Sequence, residues 1–451
     1  MAHKIWSGWR PSRRETLLGG SATALLGMTP FVRAQSAAPI TIVINQSPWF
    51  DSFSKTVALY EEETGNRVEL DVNPFAGSLE KQRNSVRTGQ GDYDILIMNS
   101  GWFAEMYAGG FVTAVSDIDP GFALDPDVYT LGDTVYYDAA NKTMTPAGKL
   151  MSVPISPLIP ILYYRGDLYE EAGLPPPETF ADLEANARKF HNPPDMYGIV
   201  QRGARGPHTV AYDFYPYLYG HGGGIFADQV NGDYSVTLNS PEGLEALDYY
   251  IRLANEAGHP KTAALDQTEV IQAMVTGNTA HISMVIAAWS QMDDPNKSVV
   301  VDKVQWAPTP HVEGVPSGPG LGHWLGGIAH NVPDERKAAA VEFFRWFLTK
   351  DAQLANARAG GIPVHAGVYR DPIADEHRFR WMKPLAASLP NAVNVYQFPE
   401  ASEVIAILEV GLNRAIAGEI TSVDALNSMA DDIHAVMEKY NYKTGELEPL
   451  P

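Results

Sequence analysis

The chain after residue 38 switches repeatedly between short apolar runs and amphipathic stretches. Residues 40–44 form an apolar run, and Phe53 and Tyr60 fall on one face of the helix expected next. The segment NRVELDV predicts a second strand, residues 79–87 a polar helix and residues 95–98 a third strand. Because apolar strands that alternate with helices are typical of a covered parallel sheet, this pattern predicts an α/β fold.

Prolines interrupt the apolar stretch KLMSVPISPLIPILYYRGDLYEEAGL. A strand that contains proline is expected at a sheet edge or at a crossover, because proline has no backbone N–H to donate. Further helices are predicted where Thr179 and Asp182 resemble a capping box and where Ser240 precedes Pro241. A second mixed α/β unit is therefore expected after the first.

The N-terminus carries the pattern of an export signal. In SRRETLLGG, Arg13 and Arg14 precede a short apolar run that ends at Val32-Arg33-Ala34. A basic region, a short apolar region and a small-x-small site are typical of a signal peptide, and the paired arginines resemble the twin-arginine signal. We expect residues 1–34 to be removed near Ala34 and the product to be periplasmic; a plain secretory signal is the alternative.

Composition narrows the classes of function. The chain has 33 basic and 54 acidic residues and no cysteine. An acidic surface repels nucleic acid and anionic lipid, and the lack of cysteine excludes thiol nucleophiles, Cys-ligated metals and a lipidated cysteine anchor. We therefore expect a free protein with no nucleic-acid partner and no membrane anchor. More than 400 residues predict at least two domains.

Catalytic and cofactor motifs are absent from the sequence. Gly220 to Gly224 resemble an esterase oxyanion loop, but the chain has no Gly-x-Ser-x-Gly motif to accompany it. The sequence contains no Walker A motif, no dinucleotide fingerprint after a strand and no His-Glu-x-x-His motif. The aspartates of DIDPGFALDPD lack the spacing of an EF-hand loop. We expect no cofactor, no bound metal and no enzyme activity.

Tryptophans follow predicted strands or lie in glycine-rich loops, namely Trp49, Trp102, Trp289 and Trp324. In α/β sheets, ligands bind beyond the carboxyl ends of the strands. A tryptophan there offers a flat apolar face to the C–H side of a sugar ring, while neighbouring Ser, Asp and His side chains bind hydroxyl groups. For any one of these tryptophans, packing in the core or at its rim is the alternative to ligand binding. Packing explains the positions of all four together less well.

Several segments resemble the extracellular solute-binding proteins of family 1, the maltose-binding-like group of ABC importers. YYRGDLYEEAGLPPPETFADL is similar to a specific signature of that family, and GDYDILIMNSGWFAEMYAGGFVTAVSD, AMVTGNTAHISMVIAAWS, LGGIAHN and AGGIPVHAGV resemble four further segments. The resemblance implies a two-lobed periplasmic binding protein fold (type II) whose lobes are joined by crossing hinge strands.

The resemblance also implies the limits of the lobes. Lobe 1 is expected to combine residues 39–152 with 312–360, and lobe 2 residues 153–308 with 366–451. Crossings are expected near Val153–Pro157, Ala307–His311 and Gly361–His365. The expected product is a monomer that closes on its solute and delivers it to the ABC permease subunits.

Site residues carried over from the resemblance form the expected ligand contacts. Trp289 is the expected stacking platform of lobe 2, and Trp49 and Trp102 are walls of lobe 1. The remaining candidates are Trp324, His323, Tyr212, Asp213, Ser100 and Ser47, of which Asp213 would accept hydrogen bonds from sugar hydroxyls.

Two departures from the family pattern narrow the expected ligand. The crossover near Leu158 has no carboxylate, and Ser100-Gly101-Trp102 replaces the Asp-Arg pair of the maltodextrin binders. A monosaccharide, a short oligosaccharide or a polyol therefore fits better than maltodextrin. A polyamine or an organic phosphate is the alternative solute, and a periplasmic cofactor- or metal-dependent enzyme that is exported folded is the alternative function.

Overall fold

A computed structural model describes residues 38–451 of the chain, and the predicted signal peptide lies outside them. The strands are β1 Ile40–Asn45, β2 Val68–Asn73, β3 Ile95–Asn99, β4 Val112–Thr113, β5 Tyr136–Tyr137, β6 Lys149–Leu150, β7 Ser152–Ser156, β8 Pro160–Arg165, β9 Phe226–Asp228, β10 Asp233–Val236, β11 His281–Val285, β12 Val304–Ala307 and β13 Trp324–Ala329.

The helices are α1 Phe50–Thr64, α2 Phe75–Val86, α3 Phe103–Ala108, α4 Val115–Ile118, α5 Gly166–Ala172, α6 Phe180–Phe190, α7 Val210–Gly220, α8 Pro241–Ala257, α9 Gln267–Val275, α10 Trp289–Met292, α11 Asp334–Phe347, α12 Lys350–Ala359, α13 Ala366–Tyr369, α14 Met382–Ser388, α15 Ala401–Ile416 and α16 Ser422–Lys439. Among residues 38–451, no helix combines the length and the apolar character that crossing a membrane requires.

The first sheet begins with the predicted β-α-β-α-β unit. Its strand order is β2-β1-β3-β13-β4, and β1 pairs in parallel with both β2 and β3. The returning strand β13 is antiparallel to β3 and also pairs with β7. The prediction of a parallel sheet is thus confirmed for β1 to β3, whereas the sheet as a whole is mixed.

The second sheet has three antiparallel strands in the order β11-β8-β12. The proline rule places β7, which contains Pro154, correctly at a crossover between the sheets. It is wrong for β8, which is the central strand although it begins at Pro160. Proline is tolerated there because it occupies only the first position of the strand.

Several helix boundaries follow from capping residues in the sequence. Thr179 and Asp182 form the predicted capping box at the start of α6, and the Ser240 side chain accepts a hydrogen bond from the Gly243 N–H at the start of α8. Gly65 ends α1 with φ of 74°, a left-handed conformation that glycine adopts without a steric penalty.

The chain passes between the two sheets at identifiable places. It leaves the first sheet after β7, enters the second at β8, and returns between β12 and β13. A third passage lies between α12, which packs on α1, and α14, which packs on β12. The residue limits of the two lobes stay a prediction.

Candidate functional site

A cavity of about 390 Å³ lies where the first sheet meets the second half of the chain, and we call it the inner cavity. Asn45 and Asn99, the last residues of β1 and β3, contribute to its wall. Both strands run in the same direction, so their carboxyl ends meet at one edge of the sheet. Leu158 and Gly322, from the two passages between the sheets, also line the inner cavity and are joined by a hydrogen bond of 2.8 Å from the Gly322 N–H to the Leu158 carbonyl.

Aromatic rings form one wall of the inner cavity. The Trp49 and Trp324 rings lie 5.7 Å apart, and Phe75 lies 5.9 Å from Trp324. These three residues line the cavity, whereas Trp102 stacks behind Phe75 at 5.3 Å and does not line it. Three of the four predicted tryptophans therefore belong to one cluster, built from the ends of β1, β2 and β3 and the start of β13.

Phe75 is a member of this cluster that the sequence analysis missed. It is the first residue of α2 and follows the carboxyl end of β2. The strand-end rule applied above to tryptophans would have selected it, because a phenylalanine offers the same kind of apolar face.

Arg202 and Tyr212 also line the inner cavity. The Tyr212 hydroxyl lies 3.4 Å from the Leu158 carbonyl oxygen, and the Arg202 guanidinium carbon lies 5.8 Å from the centroid of the Tyr212 ring. Tyr212 was predicted as a ligand contact, and the structure places it in the lining of the inner cavity.

Asp213 lies behind this wall and not in it. The Arg202 guanidinium donates to both of its carboxylate oxygens, at 2.8 and 2.6 Å, and both side chains are almost fully buried. Burial raises the pKa of Asp213, and the charge and hydrogen bonds of Arg202 oppose that rise. Asp213 therefore has an internal partner in place of the predicted ligand hydroxyl, and Arg202 is the residue of the pair that reaches the cavity.

Several polar atoms at the inner cavity have no hydrogen-bond partner. They are Asn45 Oδ1, Ser47 Oγ, Trp49 Nε1 and His208 Nε2. Unpartnered buried polar atoms also occur away from the inner cavity, for example Trp306 Nε1 and Trp381 Nε1. A polyhydroxylated ligand would supply partners, since each hydroxyl both donates and accepts hydrogen bonds.

The charged side chains that line the inner cavity are Arg202 and Asp266. His208 also lines it, and burial together with the nearby Arg202 lowers its pKa to about 3, so its imidazole is neutral at physiological pH. The wall of the cavity thus carries one positive and one negative charge, whereas the whole chain carries a net charge of −21.

Trp289, the predicted stacking platform, lies at a second cavity of about 950 Å³, which we call the outer cavity. The two cavities are adjacent, since Ser47 and Gln267 line both. Trp289 is 1% exposed, packs 4.9 Å from Trp381, and has the Arg378 guanidinium carbon 5.7 Å from its ring centroid. Its ring has no open face for a sugar in this structure.

His323 and Ser100, also predicted as ligand contacts, line neither cavity. His323 is fully buried, with Nε2 2.7 Å from the Thr134 hydroxyl and its ring 5.2 Å from Phe103. The Ser100 N–H donates to the His323 carbonyl at 3.1 Å. These contacts place the two residues in the interior beside the end of β3.

Asp125, Asp127 and His365 form a separate group whose potential metal-ligand atoms lie within 4.8 Å of one another. Arg370 already pairs with Asp127 at 2.5 Å, and His365 Nδ1 accepts a hydrogen bond from the Gly367 N–H. These contacts engage Asp127 and one nitrogen of His365 within the protein.

Comparison with known proteins gives the same architecture. A protein of Sinorhizobium fredii, named a probable amino-acid ABC transporter periplasmic-binding protein, is 21% identical over 91% of this chain and 92% of its own length. The mannitol-binding protein of Pseudomonas aeruginosa is 26% identical over 58% of this chain and 57% of its own length.

A solute-binding protein of Agrobacterium radiobacter K84, solved in complex with ribitol, superposes with a TM-score of 0.76 at 25% identity and covers 89% of this chain and 99% of that one. The predicted two-lobed periplasmic binding protein fold is confirmed. The alternative of an exported enzyme receives no support, since these relatives are binding proteins.

The model of the family described as bacterial extracellular solute-binding protein matches residues 45–354. This match covers more than half of the chain, and it includes the aromatic wall, Arg202 and Tyr212. The chain belongs to the bacterial extracellular solute-binding proteins.

Proposed function

We propose that this protein binds an uncharged carbohydrate or polyol between two lobes and delivers it to the permease of an ABC importer. Lobe 1 comprises residues 39–152 and 312–360, and lobe 2 residues 153–308 and 366–451. The protein acts in the periplasm as a monomer, after removal of a signal peptide near Ala34, and catalyses no reaction.

The composition of the inner cavity carries this proposal. Aromatic side chains and polar atoms that lack partners belong to the same cavity lining, and this combination suits a molecule with C–H faces and many hydroxyl groups. Ribitol and mannitol, which relatives bind, are such molecules. Within the cavity Trp49, Trp324 and Phe75 provide the apolar wall, and Arg202, Ser47 and Tyr212 the polar contacts.

The charge of the inner cavity argues against an organic phosphate, which needs an excess of positive charge. Arg202 is balanced by Asp266 in the wall and is paired with Asp213 behind it. A phosphate would have to compete with these carboxylates for Arg202, which disfavours it.

A thermal-shift panel with ribitol, D-mannitol, maltose, glycerol 3-phosphate and an amino acid tests the proposal. A ligand present at 100 times its Kd adds about 2.7 kcal/mol to the free energy of unfolding, so a neutral polyol or sugar should raise the Tm. Isothermal titration calorimetry should then give a Kd. Stabilisation by glycerol 3-phosphate or the amino acid, with no response to the neutral compounds, would refute the proposed ligand class.

The variant Trp324→Ala tests the aromatic wall. It should abolish or strongly weaken the calorimetric response, because the ring joins Trp49 and Phe75 at the cavity. Trp346→Ala is the matched control: Trp346 lies on α11, lines neither cavity, and donates from Nε1 to Glu63 at 2.8 Å. Equal binding by Trp324→Ala and the control would remove this wall from the site.

A further inference from the structure

His208 has an unusual backbone conformation within the wall of the inner cavity. Its φ is 76°, in the left-handed region that residues other than glycine seldom adopt. It stands between Pro207 and Thr209, which also line the cavity. Strained backbone of this kind persists only where the surrounding structure enforces it, and it clusters at ligand-binding positions.

The side chain of Glu409 holds the backbone on both sides of His208. Glu409 comes from α15 and is 2% exposed. Its Oε2 accepts from the N–H groups of Gly206 at 2.8 Å and Val210 at 3.2 Å, and its Oε1 from those of Thr209 at 2.5 Å and Ala211 at 3.0 Å.

The imidazole of His208 is oriented but has no hydrogen-bond partner at Nε2. Its ring lies 5.2 Å from Tyr212 and 5.4 Å from Tyr396, so packing fixes its direction. The residue thus combines a strained backbone, an unpartnered nitrogen and a place in the cavity wall.

We infer that His208 contacts the ligand and that Glu409 is the positioning residue that keeps His208 in its left-handed conformation. This inference rests on the proposed function. A neutral imidazole both donates and accepts, so it matches a hydroxyl of a polyol. Glu409 itself does not line the cavity, and it acts on the ligand only through the segment 206–211.

The competing explanation is that Glu409 only caps the N-terminus of α7, where a carboxylate is favourable in any case. The two explanations differ in whether the effects of replacing Glu409 and His208 on ligand affinity depend on each other. If Glu409 acts on binding through His208, its replacement should matter little once the His208 side chain is gone. If it only stabilises the helix, the two replacements should have independent effects on affinity.

The test compares His208→Gly, Glu409→Gln and the double variant in the full chain, by calorimetry with ribitol and D-mannitol. Glycine relieves the backbone strain but loses the ring contacts with Tyr212 and Tyr396, so His208→Gly should change the Tm little while weakening binding at least tenfold. Glu409→Gln should weaken binding to a similar degree, and the double variant should bind within about twofold of His208→Gly.

Two further variants control for the backbone and the side chain. Asn441→Gly replaces another left-handed residue, with φ of 60°, away from both cavities, and it should leave the Kd unchanged. His208→Asn tolerates the left-handed backbone and keeps a polar side chain, so it should recover part of the affinity that His208→Gly loses. Wild-type affinity in His208→Gly, or additive losses in the double variant, would overturn the inference and leave the proposed function standing.

Amide hydrogen exchange tests, independently of any ligand, whether Glu409 holds the backbone of the segment 206–211, which the positioning role requires. Glu409→Gln should speed exchange at Gly206, Thr209, Val210 and Ala211 at least tenfold, and leave α1 unchanged. Unchanged exchange rates in the segment 206–211 would refute the positioning role. This measurement needs no ligand, so it can be made even if Glu409→Gln is too unstable for calorimetry. If wild type binds no member of the panel, the proposed function and the His208 contact both fail.

Discussion

The ion pair between Arg202 and Asp213 offers a sharp test of how the wall of the inner cavity is built. The change Asp213→Asn preserves the size of the side chain and removes its charge. The Arg202 guanidinium then stays buried without the charged partner that accepts two of its hydrogen bonds, and Asp266, which is not hydrogen-bonded to it, is the remaining acid that acts on it. We expect a large loss of stability together with a loss of ligand affinity.

The magnitude follows from the burial of both partners. Their side chains are 4% and 2% exposed, so solvent screens the pair very little. Breaking a buried pair by removing one partner costs about 3–5 kcal/mol, because the other charge remains uncompensated. The control Glu184→Gln removes an acid that pairs with Arg188 and Arg252, both of which are about half exposed. Such exposed pairs contribute about 0–1 kcal/mol.

Urea unfolding followed by circular dichroism measures both variants. Asp213→Asn should lower the unfolding midpoint clearly, and Glu184→Gln should stay near wild type. A free energy of unfolding for Asp213→Asn within about 1 kcal/mol of wild type would refute the reasoning, since it would mean that water or another group compensates Arg202.

A double replacement separates stability from binding. Arg202→Met with Asp213→Leu replaces the pair by apolar side chains, and replacements of this kind are often neutral or stabilising. The double variant should therefore fold more stably than Asp213→Asn and still fail to bind ribitol or D-mannitol, because the Arg202 donor is gone. Normal affinity in the double variant would show that Arg202 does not contact the ligand.

Two further predictions concern residues beside the inner cavity. Burial lowers the pKa of His323 from 6.5 to about 3, so the unfolded chain takes up a proton below pH 6.5 that the folded protein does not. Between pH 7.5 and pH 5.5, wild type should therefore lose about 1.4 kcal/mol more of its free energy of unfolding than His323→Gln does. Equal losses in urea titrations of the two proteins would contradict this expectation. Gly322→Ala would drive a Cβ into the Tyr212 ring and should abolish polyol binding in calorimetry. In the control Gly89→Ala, the added Cβ meets open space, and this variant should bind as wild type does. Unchanged affinity in Gly322→Ala would show that the Tyr212 side chain moves aside without cost.

Local sequence patterns predicted several helices and strands and two aromatic residues that line the inner cavity. Hydrophobic periodicity and capping residues located β1 to β3, α6 and α8, since these signals depend on neighbouring positions. The strand-end rule selected Trp49 and Trp324 because it needs only the strands and their direction. It would have selected Phe75 as well, had it been applied to every aromatic residue.

The burial of Trp289 and Asp213 could not be predicted in the same way. Trp289 loses its open face to Trp381, which lies 92 positions further along the chain and packs at 4.9 Å. Asp213 turns towards Arg202 because the segment between them folds back on itself. In both cases a tertiary contact determines which side of the residue remains free. The partner lies 92 positions away for Trp289 and 11 positions away for Asp213, and the periodicity of a single helix or strand encodes neither contact.

Glu409 shows why these distant contacts matter for ligand choice. It lies 203 positions from Gly206, the most distant of its four N–H partners along the sequence. Its carboxylate, like that of Asp213, stands close behind the cavity wall and is satisfied by protein groups. Because Arg202 pairs with Asp213, and four backbone N–H groups donate to Glu409, whose pKa burial raises to about 7, neither buried carboxyl group requires a positive charge on the ligand. The residues that never touch the ligand therefore allow an uncharged one.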